Sequence, residues 1–301
     1  MPASPVPAEG GALAGKVVVV TGAARGVGAS LARQLTAKGA IVALLGLEAD
    51  ELAKVSASCP GSAAYDVDVT DSAALDDVAR QVVQRFGRVD VVVVNAGIAA
   101  GGPLLLADPT SYDRVVEVNL LGSIRTVRAF LPAVVAAKGY VLQIASVAAI
   151  VPAPLMSAYC ASKSGVEAFA HSLRGELRHH GVDVGVGYLS WTDTDMVRGA
   201  DERPGLGEMR ASLPGIFGRT YPLEPSVARI VAGIERRRPH VYAQAWLRVL
   251  PAVRGLMPVL AARTPALKQL PEYERSIAAA GSDATRLVGA GGQADMAART
   301  R

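Results

Sequence analysis

The chain predicts an α/β protein: one doubly wound, parallel, seven-stranded sheet with helices on both faces and a C-terminal helical extension. Three observations carry this. Short β-branched or fully apolar runs alternate with segments of helical period, the pattern of βαβ units. The first run passes straight into a glycine-rich turn and then a helix. Half of the 301 residues are apolar, enough for one large core.

The elements follow in order. Lys16 to Thr21 is a candidate central strand, followed by Gly22-Ala23-Ala24-Arg25-Gly26-Val27-Gly28 and a helix from Ala29 to Lys38. In that context glycines allow a tight turn and close backbone approach to a pyrophosphate, with free helix N–H groups beneath it. The plainer alternative is a tight turn that binds nothing. Ile41 to Leu45 is the second strand. At such a strand end an acid usually serves the ribose hydroxyls, or a cation a 2′-phosphate. Here Gly46 and Leu47 stand there, followed by Glu48. Arg25 facing a 2′-phosphate leans the reading to NADP(H); Glu48 on a ribose hydroxyl is the NAD(H) alternative.

Ala63 to Val67 reads as strand three, closed by Asp68-Val69-Thr70-Asp71. Thr70 or Asp71 caps a helix from Ser72 to Phe86 whose apolar residues share one face. Val89 to Val94 is strand four, ending in Asn95-Ala96-Gly97. Small residues there let a flat ring lie against the backbone; a turn amide is the plainer role for Asn95. Tyr112 to Lys138 reads as helix interrupted near Leu121-Gly122, with Asn119 inside it, an unfavourable place for Asn unless it acts locally or catalytically.

Tyr140 to Ala145 is strand five, and Ser146 follows at its carboxyl end, where open α/β sheets keep their sites. Tyr159 and Lys163 sit four apart on a helical segment, so phenol and ammonium share a face. A nearby cation stabilises a phenolate and lowers its pKa. Val182 to Leu189 is strand six, and Trp191 to Tyr221 an irregular substrate lid. Pro225 to Arg238 is a helix and His240 to Ala243 the last strand.

Met1 to residue 12 reads as a disordered tail and 13–245 as the single main domain. Residues 246–280 form a helical extension broken by Pro251 and Pro258, and the Gly/Ala-rich 281–301 a second disordered tail. The extension is a flap over the pocket or a subunit contact in the favoured reading, an amphipathic membrane contact in the other. The formal net charge of +4 comes from scattered Arg, so no nucleic-acid patch is indicated. Two cysteines, Cys59 and Cys160, give neither disulfide framework nor metal spacing, and a cytoplasmic setting is expected. His171, His179 and His180 read as surface residues, and no metal is expected.

The set Thr21 to Gly28, Asp68-Val69, Asn95-Ala96-Gly97, Asn119, Ser146 and Tyr159-x-x-x-Lys163, in this order, resembles the short-chain dehydrogenase/reductase family over roughly residues 13–245. The resemblance implies a Rossmann-like, NAD(P)-dependent oxidoreductase acting on a carbonyl or secondary alcohol. Tyr159 would be the general acid/base, Lys163 would lower its pKa and hold the nicotinamide ribose, Ser146 would bond the substrate oxygen, and Asn119 would seat a relay water. Gly22, Arg25, Gly26, Val27 and Gly28 would hold the phosphates, Asp68 and Val69 border the adenine, Asn95, Ala96 and Gly97 the ribose, and Thr194 the carboxamide or phosphate. A homodimer or homotetramer is also implied. The chain departs from the family at Ser190-Trp191, where Pro-Gly is usual, so Trp191 alters the nicotinamide contact or walls the pocket. The apolar, Pro-rich lid leads to a hydrophobic or bulky substrate. A non-catalytic nicotinamide-binding protein and a membrane-peripheral lipid, steroid or retinoid-type reductase are the alternatives.

Overall fold

The computed structural model describes residues 11–299 apart from 262 and 264; most of the first expected tail therefore lies outside the described residues. Seven strands form one parallel sheet: β1 Val17–Thr21, β2 Ile41–Gly46, β3 Ala63–Asp66, β4 Val91–Val94, β5 Tyr140–Ile144, β6 Asp183–Tyr188 and β7 His240–Tyr242. Their order is β3-β2-β1-β4-β5-β6-β7. Winding proceeds outward from β1 to β3, then crosses back to β4. β1 and β4 are direct neighbours, with Val19 opposite Val92. The crevice between their carboxyl ends is where such sheets bind ligands.

The inner strands β1, β2, β4, β5 and β6 are almost wholly buried because both faces are covered, while the edge strand β3 is partly exposed. Val18, Val20, Val42 and Leu44 point to one side, against Leu31 and Leu35 of α1 (Gly26–Ala37), Leu52 of α2 (Ala49–Ala57) and a later helix. Val19, Leu45, Val92 and Val141 point to the other, as the period of two requires. There they meet α3 (Ser72–Phe86), which begins where the Asp71 carboxylate accepts the Ala74 N–H at 3.0 Å and ends on left-handed Gly87.

α4 (Pro109–Val116), a π turn over Glu117–Leu121 and α5 (Gly122–Ala136) form one continuous helix. By length and composition it is apolar enough to cross a bilayer, yet Val127, Phe130 and Val134 are buried against the sheet. The expected interruption is thus a wide turn that keeps the helix running. α6 (Ser157–Leu177) lies beside it.

The expected irregular lid is instead largely helical: α7 (Asp195–Asp201), capped by Thr194, and α8 (Leu206–Ala211), with left-handed Gly205 between them. Each is too short to show a full apolar period. α9 (Leu223–Glu235) completes the first face of the sheet with Ile230 and Ile234. In the extension, Pro251 and Pro258 sit in the first turns of α10 (Leu250–Val253) and α11 (Met257–Ala261), where the missing N–H costs nothing. α12 (Leu270–Ala280) follows.

The expectation of disorder over 281–301 needs correction. Ser282–Thr285 forms a 3-10 turn and Gly289–Ala298 a helix, α13. Leu287 is 1% exposed and pairs with Ala100 in an antiparallel bridge. The glycines that read as flexibility serve close packing: a Cβ on Gly199 of α7 would stand 2.6 Å from the Gly289 nitrogen.

Candidate active site

The glycine turn is built for close approach. Gly22 and Gly26 take positive φ, 63° and 51°, which glycine adopts without strain. A Cβ on Gly28 would lie 2.1 Å from the Gly22 carbonyl oxygen, so no side chain fits there. α1 opens from this turn with no side-chain cap and no acid in its first turn, leaving its N–H groups for an anion. Asn95 does not bond its own loop. Its Nδ2 donates to Thr21 O at 2.9 Å, while Thr21 Oγ1 accepts the Asn95 and Ala96 N–H groups at 3.0 Å each. The end of β4 is thereby clipped to the glycine turn.

A crevice of about 240 Å3 runs over these groups. Gly22, Arg25, Gly26, Val27, Gly28, Asp68, Val69, Asn95, Ala96, Gly97, Ser146, Tyr159, Lys163 and Thr194 all line it. Asn119 stands behind it: a Cβ on Gly97 would lie 3.2 Å from Asn119 Oδ1 and 3.4 Å from Lys163 Nζ. The Asn119 side chain accepts from Ile98 N at 2.8 Å and donates to Ile98 O and Ser162 Oγ at 3.0 Å each. The π turn places this mid-helix amide against the backbone after β4.

Ser146 leaves β5 in extended backbone and its Oγ accepts the Ala148 N–H at 3.2 Å. Its hydroxyl and the Tyr159 phenol both line the crevice, and Ser146 is among the groups that favour the phenolate. Lys163 Nζ donates to Ile144 O at 3.0 Å and lies 5.8 Å from the Tyr159 ring centre. The sequence leads to a lowered phenol pKa; in this state burial dominates, outweighs Ser146 and pushes Tyr159 up to about 12. Burial likewise brings Lys163 down to about 8, since leaving water disfavours charge on either group.

The rival cofactor-selecting residues hold each other. Arg25 Nε donates to Glu48 Oε2 at 2.7 Å, its Nη2 contacts Glu48 Oε1, and its Nη1 donates to Asp195 Oδ2 at 3.1 Å. At the other end, Asp68 accepts from Thr70 N at 2.8 Å and from Arg114 Nη2 at 2.6 Å. Burial opposes its charge, but these bonds keep Asp68 below the usual carboxylate range.

A second cavity, about 340 Å3 and almost wholly apolar, opens beside the first. Trp191, Met209, Phe217, Trp246, Met257 and Leu270 are among its walls, so Trp191 is a pocket wall and the extension is a flap over the pocket. Ser146, Tyr159 and Ser190 line both cavities.

Sequence reasoning missed Arg114, Asp195, Gly291, Gly292 and Asp295, all at or beside the crevice. Arg114 offered only an i,i+3 partner in Glu117. Asp295 reaches Arg114 across 181 residues, which no local pattern reveals.

A glycine cradle at the sheet's switch point, with a hydroxyl, a phenol and an amine at one end, defines a dinucleotide-dependent oxidoreductase. Among known proteins, residues 16–205 match the short chain dehydrogenase family, and the chain belongs to it. It is an NAD(P)-dependent oxidoreductase acting on CH–OH or C=O groups. It is similar to dehydrogenase/reductase SDR family member 7B of Bos taurus, 36% identical over 187 residues, 58% of each chain. A trans-4-hydroxycyclohexanecarboxylate dehydrogenase of Sinomonas cyclohexanicum is 33% identical over 65% of this chain and 79% of that one. An 11-beta-hydroxysteroid dehydrogenase A of Sesamum indicum is 29% identical over 79% of this chain and 70% of its own.

Proposed function

We propose that the enzyme interconverts a bulky hydrophobic ketone or aldehyde and the corresponding alcohol, with Ser146, Tyr159, Lys163 and Asn119 as its catalytic group. One observation carries the reading: the Ser146 and Tyr159 hydroxyls stand where the dinucleotide crevice and the apolar cavity meet. A bound nicotinamide supplies or accepts the hydride. The residues handle the oxygen and its proton. Ser146 donates to the developing alkoxide, a preorganised contribution of about 2.7–4 kcal/mol by analogy with other oxyanion donors. Tyr159 keeps its proton at neutral pH in this state, the form needed to donate during reduction. Lys163, held by Ile144 O, places a positive charge beside the phenol, and Asn119 fixes the backbone behind it. The cavity offers a substrate body little beyond apolar surface, which supports a lipophilic compound over a sugar. Tyr159→Phe is expected to lower kcat at least 10³-fold, and Ser146→Ala about 10²–10³-fold, followed by nicotinamide absorbance on a panel of hydrophobic ketones. Full activity of Tyr159→Phe would refute the assignment.

On the cofactor, Arg25 is the cation nearest the end of β2, which supports NADP(H). Its pairing with Glu48 supports NAD(H) as the second reading, with the carboxylate left to accept ribose hydroxyls. Glu48→Gln removes one of the two carboxylates that hold the guanidinium, leaving Asp195. It is expected to tighten NADP(H) binding about tenfold relative to NAD(H); an unchanged ratio in titration calorimetry would remove Arg25 from cofactor choice.

A further inference from the structure

We infer that residues 282–298 form a fourth wall of the dinucleotide crevice, a strap that shifts to admit the cofactor and then retains it. The inference rests on the nicotinamide-binding reading above. The strap lies outside the family match, which ends at residue 205.

Its course is fixed at both ends. On entry, Val288 N donates to Ala99 O at 2.8 Å and Thr285 Oγ1 accepts the Asp108 N–H at 3.0 Å. From the lid, Arg203 Nη2 donates to Leu287 O at 3.2 Å. α13 then lies backbone to backbone on α7: a Cβ on Gly289 would stand 2.7 Å from Asp195 O. Val288, Gly291, Gly292 and Asp295 all face the crevice wall. At the far end sits a latch. Asp295, 2% exposed, takes three hydrogen bonds from Arg114 at 2.8–3.1 Å, while the same guanidinium holds Asp68 and Glu117. A pair this deeply buried is held firmly, because breaking it strands a charge out of water.

Size makes the strap a moving part. The crevice encloses about 240 Å3, below the roughly 300–1,000 Å3 of sites for drug-sized ligands, and a nicotinamide dinucleotide is larger than those. α13 is held through its packing on α7, the Val288–Ala99 bond and the Arg114–Asp295 pair, so it is the wall that gives way. Once the ligand is inside, the glycine at 291 lets the helix backbone lie close over it, while the one at 292 makes room for Leu287. Cofactor exchange then requires the Arg114–Asp295 latch to open.

The test uses the full-length protein and two variants, titrated with NADPH and NADH by fluorescence. A Cβ at 291 meets only Arg25 Cδ, at 3.7 Å, so Gly291→Leu fits the empty fold and projects into the crevice. It is expected to raise the dinucleotide dissociation constant at least 30-fold with no loss of thermal stability. Asp295→Asn is expected to raise the dissociation rate about tenfold or more in stopped flow. On the unmodified protein, adding cofactor should slow amide exchange across 289–298. If the wild type binds dinucleotide while Gly291→Leu binds within threefold of it and exchange over 289–298 does not change, the strap is refuted and the functional reading stands. A wild type that binds neither nicotinamide refutes both.

Discussion

Lys163→Met should make the cofactor-free protein more stable while abolishing its chemistry. The ammonium is buried, and burial alone takes it from 10.5 to about 8. At about 1.36 kcal/mol per pH unit, keeping it charged in the fold costs on the order of 3 kcal/mol. The bond to Ile144 O offsets part of this, and removing it leaves a carbonyl unpaired at about 1–3 kcal/mol. Methionine fills a similar volume. The balance at pH 7 is a gain of about 0–2 kcal/mol, each kcal/mol raising Tm by roughly 2–4 °C for a chain near this size. The pH dependence gives the sharper signature. The folded value lies below the unfolded one, so between about 8 and 10.5 the unfolded chain binds more protons. Wild-type stability therefore gains a rising contribution through that window, which the variant lacks. Urea unfolding at pH 7, 8, 9 and 10 should show the advantage of Lys163→Met shrinking above pH 8. A variant less stable at pH 7, or a difference independent of pH, would refute the claim that this site bears a desolvation cost for the sake of a charge.

Two further outcomes follow from the cavities. Phe217 and Trp246 meet edge to face with ring centres 5.2 Å apart, closing the apolar pocket from lid and extension together. Phe217→Ala should raise KM for a bulky ketone about three- to tenfold with kcat little changed, from the roughly 0.5–1.5 kcal/mol such pairs contribute; steady-state kinetics reads it. Arg254 ties the extension to α6 and the turn after β5, its Nη2 donating to buried Glu167 at 2.8 Å and to Ala149 O at 3.2 Å. Arg254 is half-exposed but its partner Glu167 is buried, so Arg254→Met should cost about 1–3 kcal/mol and speed protease cleavage within 246–269, read by mass spectrometry.

The inner strands were legible because they are buried on both faces and stay mostly apolar; Val17–Thr21 and Val91–Val94 are the plainest cases. The crevice-lining residues from Gly22 to Lys163 were legible because each sits at a strand end or on one helix face, places that local order fixes. What escaped was set by distant contact. Asp195 and Asp295 take their meaning from Arg25 and Arg114, 170 and 181 residues away. Gly289-Ala290-Gly291-Gly292 looked like slack chain because composition cannot separate a glycine that confers freedom from one that permits contact. The phenol's pKa went the other way for a similar reason: spacing placed the ammonium near Tyr159, but only the fold shows Lys163 buried and the phenol half-buried between two cavities.

The groups proposed to handle protons, Asn119, Ser146, Tyr159 and Lys163, all precede residue 195, whereas the segments that wall the two cavities from Trp246 to Leu270 and from Val288 to Asp295 come after it. On the ribosome the cradle residues therefore emerge before the segments that wall them in, although α9 and β7 still have to complete the sheet. Until the segment from Trp246 has emerged, a greasy hollow stands open beside the nucleotide cradle. Folding of α13 is the event that turns that surface into an interior, and chaperone dependence of this protein should be greatest just before it.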